Sequence, residues 1–567
     1  MGRAYGSTSE SPIDADTLER GNVANQVNLP ESEGFRVRRS RRVPGAKNPR
    51  EFCTVRGENG PDWDIPNNDI KSVSHAILER VFFVKSGGGF KRAPKPADYY
   101  RRQGDDDPEL MGSKHVEMKL KRFSREMEIL AESSDKVSPI TTKQFVDSYG
   151  GAKHRAYAAA GLSLEEQPLS TRDFKVKTFT KDDYRKPGAA PRAIQPRSPR
   201  FNVQLGRYVK PLEHTIFESI DKIFDPSGVS RTVAKGMNMN ERGARVKEMW
   251  DKYENPVAVG LDASRFDQHI NLDLLDFEHK IYQMWCVKKG IDIPSLKYLL
   301  KQQRVNRGTY RSPEGRVDYK VFGCRMSGDM NTSLGNVTIM CGLMYAYFEE
   351  KKLLGKISLL NDGDDCVIIM DKRNLAWFQK DMEDWFLRVG ITMCYDGIYT
   401  ALEAVEFCQA HPVFDEEVGY RLVPRPTKRL YSDLVTTKKI GSKKVYKKWL
   451  GAVAGCGQAM SSGLPIFQSF YHWVGRGATP YIPEQGSVYH KYRQELTDRM
   501  IPRTREPSTA ERISFYFAFD VTPDEQKMVE AYYSQLPDPI HQQAEERLVQ
   551  TIDPIQHLVH PEQKNRY

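Results

Sequence analysis

Residues 356–370, KISLLNDGDDCVIIM, restrict the possible folds more than any other stretch of this chain. Two short apolar, β-branched runs, 357–360 and 366–370, flank Asn361-Asp362-Gly363-Asp364-Asp365. An Asp-Gly pair between apolar runs spells a tight hairpin, so the acids sit at the tip of a hairpin whose arms are buried. Like charges side by side repel, and partly buried ions lose hydration, unless a cation neutralises them. Hard divalent cations such as Mg²⁺ bind carboxylate oxygens and share their remaining positions with phosphates. A metal site for phosphate chemistry is one reading. An acidic surface turn is the other, because Asp and Gly are ordinary turn residues. A second source of carboxylate is needed to choose between them.

That source is NPVAVGLDASRFDQHIN. Val257, Val259 and Leu261 make an apolar strand, Asp262 ends it, and NLDLLDFEHKIYQMW continues as an amphipathic helix. Asp262 meets Asp364 if the two strands are neighbours, and the pair would then grip two divalent ions on either side of a transferring phosphoryl group. Taken alone, an ordinary strand-end cap explains Asp262 as well. Asp267 has a different address, pointing toward a substrate hydroxyl instead of the ions. In CRMSGDMNTSLGNVTIMCGLMYAYFEEKK, Ser327-Gly328 opens a flexible loop, and Thr332 and Asn336 share one face of the following helix. Asp267 bonded to Asn336 would recognise a ribose 2′-hydroxyl, because polar groups arranged to pair an OH reject an analogue lacking it. Thr332 and Asn336 are also ordinary helix-start residues.

Composition narrows the class without choosing it. At 567 residues the chain is long enough for several domains or one multi-lobed enzyme. Its net charge of +10 suits a polyanionic partner. The eight cysteines form no CxxC pair, which argues against a zinc site or a disulfide framework and for a reducing, cytosolic setting. No window approaches the uninterrupted apolar run of a membrane span, so no intrinsic span is expected. Residues 1–50 read as a flexible basic arm ending in FRVRRSRRVPGAKNPR. Further on, IKSVSHAILERVFFV alternates apolar and polar residues, SGGG at 86–89 is a loop, and PELMGSKHVEMKLKRFSREMEILAE reads as an amphipathic helix. TTKQFVDSYGGAKHRAYAAAGLSL is helical with a Gly-Gly interruption.

Two basic stretches follow. In the first, Lys177, Lys186, Arg192 and Arg197 belong to a positive strand-loop-helix in which Pro187, Pro191, Pro196 and Pro199 hold the backbone extended. Cations so held line a groove suited to a triphosphate or an RNA backbone. In the second, Lys438, Lys439, Lys443 and Lys444 are interleaved with Tyr431, Tyr446 and Trp449. That mixture suits single-stranded RNA, or a solvated surface.

Asp262 with Asp267 (D-x4-D), Ser327 to Asn336 (SGxxxTxxxN) and Gly363 to Asp365 (GDD) resemble, in order, motifs A, B and C of viral RNA-directed RNA polymerases. GLDASRFDQHI, SGDMNTSLGN and FCQAHPVF resemble the replicases of the tombusvirus-like family of plus-strand plant RNA viruses. The resemblance runs over residues 140–475, with PRAIQPRSPRFNVQLGRYVKPLEH as motif F and FCQAHPVF as the primer-grip turn, motif E. It implies an α+β right-hand polymerase. Its expected parts are a basic arm (1–50), an N-terminal extension (51–130), fingers (131–255), an RRM-like antiparallel palm (256–420, with a fingers insertion at 290–325), and a helical thumb with a tail (421–567).

Carried over by residue, the resemblance implies Asp262 and Asp364 as ligands of two Mg²⁺ ions, replaceable by Mn²⁺, with Asp365 an auxiliary acid. Asp267 and Asn336 would read the 2′-hydroxyl, with Ser327 and Thr332 supporting the loop. Lys186 and Arg192 would steady the triphosphate, with Lys177 and Arg197 as rivals, and the 438–444 lysines would touch RNA. One departure is Cys394, which stands near where such polymerases carry a motif D lysine. The implied activity is RNA synthesis from NTPs on a single-stranded RNA template, able to start without a primer. A membrane-anchored viral replication protein, or an upstream segment, would recruit the chain to cytoplasmic membranes of the host. A reverse transcriptase, a two-metal nuclease and a non-catalytic RNA-binding protein are the alternatives. A bulky residue normally replaces Asp267 in the first, the second has no use for a triphosphate channel, and acids facing phosphate would only weaken the third.

Overall fold

The computed structural model describes residues 27–28, 36–39, 68–82, 113–134, 137–181, 183, 188–288, 290–291, 293–434, 442–480 and 503–539. Helix and sheet are mixed along the chain, as an α+β reading requires.

The hairpin forms where turn chemistry puts it. β9 (Ile357–Asn361) and β10 (Asp365–Asp371) pair antiparallel, with Cys366 opposite Asn361. β6 (Pro256–Ala263) lies on the other side of β10, and β11 (Met393–Tyr399) completes an antiparallel sheet of order β11-β6-β10-β9. Successive residues of β6 and β10 enter two different cores. Val257, Val259 and Leu261 join Ile368 and Met370 in the larger one. Ala258 joins Leu360, Val367 and Ile369 in the other, against Val246 and Met249 of the Met239–Asp251 helix. A sheet covered on both faces needs apolar residues at every position. The runs VAVGL and CVIIM accordingly contain no polar side chain.

Helices Ser113–Ser133, Pro199–Phe224, Leu272–Lys288 and Thr332–Glu350 enclose the larger core. In the first, Val116, Leu120, Phe123, Met127 and Ala131 recur every three or four residues on one buried face. The last is apolar on all sides, and every residue from 334 to 348 is buried, as befits a helix in the interior. The expected Gly-Gly break separates Thr142–Asp147 from Gly151–Glu166, with Gly151 at φ +59°. The basic strand-loop-helix is also present. β4 (Phe179–Thr180) pairs with β5 (Ala193–Ile194), and Pro199 opens the following helix, where its missing N–H costs nothing.

A second sheet has the order β1-β2-β8-β7-β3, built from Val27–Asn28, Arg36–Arg39, Gly315–Phe322, Val305–Ser312 and Val176–Lys177. Two expectations change here. Arg36–Arg39, read as part of a flexible arm, is a strand that covers the otherwise open edge of β8. IKSVSHAILERVFFV, read as alternating, contains the helix Ile70–Arg80. Its buried Ile70, Val73 and Ile77 lie one helical turn apart and pack with Val317, Tyr319 and Val321 of β8. The SGGG segment at 86–89 lies outside the described residues.

β12 (Ala410–Asp415) and β13 (Gly419–Pro424) form a hairpin. Its Val413 and Val423 enter a third core with Phe470, Trp473, Phe515 and Tyr533, carried by the C-terminal helices Phe467–Gly475, Thr509–Phe519 and Pro523–Gln535. The Met239–Asp251 helix packs against β13, β12, β6 and β10. The boundary expected at residue 255 therefore does not separate packing units. Likewise Ser113–Ser133, expected in an N-terminal extension, belongs to the main core.

Candidate active site

Strand pairing assembles the acids. β10 runs antiparallel to β6 in a register that sets Asp365 directly opposite Asp262, and Cys394 of β11 lies opposite Asp262 on the other side. The hairpin tip is laced by the fully buried Asn361, whose side chain donates to Gly363 O at 2.7 Å and accepts from Gly363 N at 3.0 Å. Asp362 N donates to Asp365 O at 2.9 Å, and Gly363 takes φ +97°, which only glycine adopts without strain. Asp364 and Asp365 thus emerge beside Asp262 from a rigid turn.

The three tip acids have different electrostatic fates. Asp362 pairs with Lys235 Nζ at 2.5 Å and Arg242 Nη1 at 2.8 Å. Burial pushes its carboxyl up, but the two cations hold it below the usual carboxylate range. Asp364 is pushed up to about 6, first by loss of hydration and then by Asp267 and Asp262. Asp365 is pushed up to about 7, by loss of hydration and then by Asp364, Asp262 and Asp362. Asp262 is raised by desolvation and by Asp396. Among the described residues no three acidic, His or Cys side chains close into a ready-made metal cage. What exists is an open set of carboxylates, Asp262, Asp364 and Asp365, with no ion-pair partner among the described residues and only Lys235 acting on Asp364 from beside Asp362. That donor set fits Mg²⁺, which takes one or two carboxylates and leaves its other positions to water and substrate phosphates.

Behind the acids, Asn336 Nδ2 donates to Asp267 Oδ1 at 2.9 Å, and Ser327 Oγ donates to Asp267 Oδ2. Thr332 Oγ1 donates to Met326 O at 3.3 Å, tying the loop to the start of its helix. Gln195 N donates to Ser327 O at 2.6 Å, so the basic segment and the loop are joined directly. Gly328, at φ +114°, faces Pro196 so closely that a Cβ there would stand 3.2 Å from its nitrogen.

The cations divide. Lys177 and Arg192 are exposed, and Arg192 Nη1 lies 3.5 Å from Asp183. Lys186, Lys438 and Lys439 lie outside the described residues, while Lys443 and Lys444 are exposed at the start of the Lys443–Ser461 helix. Arg197 departs from expectation. It is buried, ion-paired with Asp329, and donates to Asn306 and to Gln302 O, so its guanidinium is committed inside the protein and not offered to a triphosphate.

Sequence reasoning missed Lys235, Arg242 and a buried ion pair between Arg325 and Glu278. One signal was available for the last. Glu278 interrupts the buried stripe of its helix, flanked by Leu274, Leu275 and Ile281, where a charge persists only if paired.

The family model for viral RNA dependent RNA polymerase matches residues 35–537 of this chain. The chain belongs to the viral RNA-dependent RNA polymerase family. Among its relatives, the RNA-directed RNA polymerase of Tobacco necrosis virus (strain A) is 38% identical over 481 residues, covering 83% of this chain and 61% of that protein. The corresponding protein of Oat chlorotic stunt virus is 36% identical, over 87% of this chain and 65% of its own length. That of Turnip crinkle virus is 32% identical, over 90% and 63%. This family member therefore spans under two thirds of the length of the relatives it matches. The matched region contains the acid cluster, the Asp267–Asn336 pair, the β12–β13 hairpin and the C-terminal helices.

Proposed function

We propose that this chain is an RNA-directed RNA polymerase of a plus-strand plant virus, joining NTPs on a single-stranded RNA template and able to initiate without a primer. The observation that carries the reading is the β6–β10 register, which sets Asp365 opposite Asp262 with Asp364 beside them, and among the described residues no cation is ion-paired with any of the three. In this reading the central sheet is the palm, the second sheet and the basic segment belong to the fingers, and the C-terminal helices form the thumb.

Asp262 and Asp364 hold the metal and Asp365 adds negative potential beside them. When bound there, two Mg²⁺ or Mn²⁺ ions supply activation of the attacking 3′-hydroxyl and neutralisation of charge on the phosphates. Asp267 and Asn336 orient the incoming ribose. Lys177, Lys186 and Arg192 steady the triphosphate, whereas Arg197 fixes the segment that carries them. Exposed Lys443 and Lys444 contact the RNA backbone.

No helix among the described residues is long and apolar enough to cross a membrane. We further propose recruitment to cytoplasmic membranes of the host through a membrane-anchored viral partner or a segment beyond this sequence. Membrane flotation of the chain expressed alone would contradict that.

The polymerase reading is tested by supplying the purified chain with short RNA, Mg²⁺ or Mn²⁺, and labelled NTPs or dNTPs in parallel. RNA-dependent product from NTPs alone is expected. Extension with dNTPs as efficient as with NTPs would overturn the reading in favour of a reverse transcriptase.

A further inference from the structure

We propose that Arg325 is a specificity-determining positioning residue: it fixes which end of the Asn336 amide faces Asp267, and thereby sets discrimination between ribose and deoxyribose substrates. This rests on the ribose-reading role proposed above for Asp267 and Asn336.

Arg325 immediately precedes the Met326-Ser327-Gly328 loop and is buried, with 2% of its surface exposed. It holds both members of the pair. Its backbone N–H donates to the Asp267 carbonyl at 2.9 Å, and its side-chain Nε donates to Asn336 Oδ1 at 3.0 Å. A guanidinium carries donors only, so the Asn336 atom that meets Nε is the amide oxygen. A flipped amide would set N–H against N–H in a buried place where neither could find water. The Asn336 nitrogen is therefore turned toward Asp267, to which it donates, and one N–H remains on it. Asp267 Oδ2 accepts from Ser327, while Oδ1 keeps acceptor capacity beside that N–H. A hydroxyl both donates and accepts, so it completes this arrangement. A 2′-deoxy sugar leaves both groups unpaired.

The far end of Arg325 is anchored as firmly. Its two terminal nitrogens fork onto Glu278, which also accepts from Tyr282 Oη at 2.7 Å and Asn331 Nδ2 at 2.6 Å. Space for this pair is cleared by Gly335, where a Cβ would overlap both the guanidinium and the Glu278 carboxylate. A glycine weakens a helix interior, and here it admits the ion pair.

The test compares kcat/KM for an NTP with that for its 2′-deoxy counterpart on one RNA template. The variants are Arg325→Met/Glu278→Gln, Arg325→Lys and Asn336→Ala. The double variant removes both charges together, so no lone ion is left buried. Thermal denaturation first establishes which variants are folded. The NTP-to-dNTP ratio is expected to fall at least about tenfold in the double variant, less in Arg325→Lys, and to collapse in Asn336→Ala. If the double variant does not fold, Arg325→Lys carries the test, because it keeps a charge beside Glu278 but loses the planar fork. A wild-type ratio in the Arg325 variants together with a collapsed ratio in Asn336→Ala overturns the Arg325 inference alone. A wild-type ratio in Asn336→Ala overturns the ribose reading itself.

Discussion

Asp362 and Asp364 stand two residues apart and titrate in opposite directions. Lys235 and Arg242 hold Asp362 below the ordinary range, so the stability it contributes is present at neutral pH and is lost as pH falls through its lowered folded value. Asp364 and Asp365, raised to about 6 and about 7, keep protons in the folded state that the unfolded chain has already released. Their contribution therefore falls as pH rises from about 4 to about 7 in metal-free buffer. With chelator present, Tm should decline across that interval, and Asp365→Asn should flatten the decline. Added Mn²⁺ should raise Tm more at pH 7 than at pH 5, which differential scanning calorimetry checks. At this scale the sequence disclosed the Asp267–Asn336 bond, because both residues sit in recognisable short patterns. It did not disclose the burial of Arg197, whose partner Asp329 is remote in sequence and looks like any loop acid.

Elements with local causes were legible. The β9–β10 hairpin follows from Asp-Gly between two apolar runs, and the Ser113–Ser133 helix from a stripe with helical period. Elements decided by distant partners were not. Ile70–Arg80, read as alternating, has Ile70, Val73 and Ile77 at helical spacing over a short window, and they pack in one core with Val317, Tyr319 and Val321 of β8. Arg36–Arg39 becomes a strand because β8 offers it an edge. The Met239–Asp251 helix owes its close seat on β13 to Gly243, where a Cβ would overlap the backbone of Arg421. Gly243→Ala should therefore destabilise the protein by about 1–3 kcal/mol, through the overpacking that a tight interface cannot absorb. Urea unfolding measures this, and a midpoint equal to wild type would show that the helix can shift freely.

Across the whole molecule, motif order was enough to indicate the viral RNA-dependent RNA polymerase family. The expected domain limits were not enough to predict packing. Residues 239–251, assigned by sequence to the fingers, pack on the central sheet, and residues 113–133, assigned to an N-terminal extension, join the main core through the Leu272–Lys288 and Thr332–Glu350 helices. Long-range burial of this kind leaves no mark on local periodicity beyond an apolar stripe with no stated partner. In the proposed reading RNA is held through cation–phosphate contacts, so its affinity should be salt-dependent. Replacing Lys443 and Lys444 together by Ala should weaken binding of single-stranded RNA and lower the slope of log K against log salt by about 1.4, roughly 0.7 for each phosphate no longer neutralised. An unchanged slope would remove these lysines from the RNA path.

The central claim is that strand pairing makes Asp262 and Asp364 a single metal-binding unit. It is tested most directly by the rate of single-nucleotide incorporation into a primed RNA by the wild type, Asp262→Asn, Asp364→Asn and the double variant. Each single change should cost at least about a hundredfold, since loss of even an outer partner of a metal ligand costs about 10–100-fold. The double variant should lose little more than either alone, because residues acting as a unit are not additive. Near-wild-type incorporation by either single variant, or losses that multiply in the double, would contradict the account.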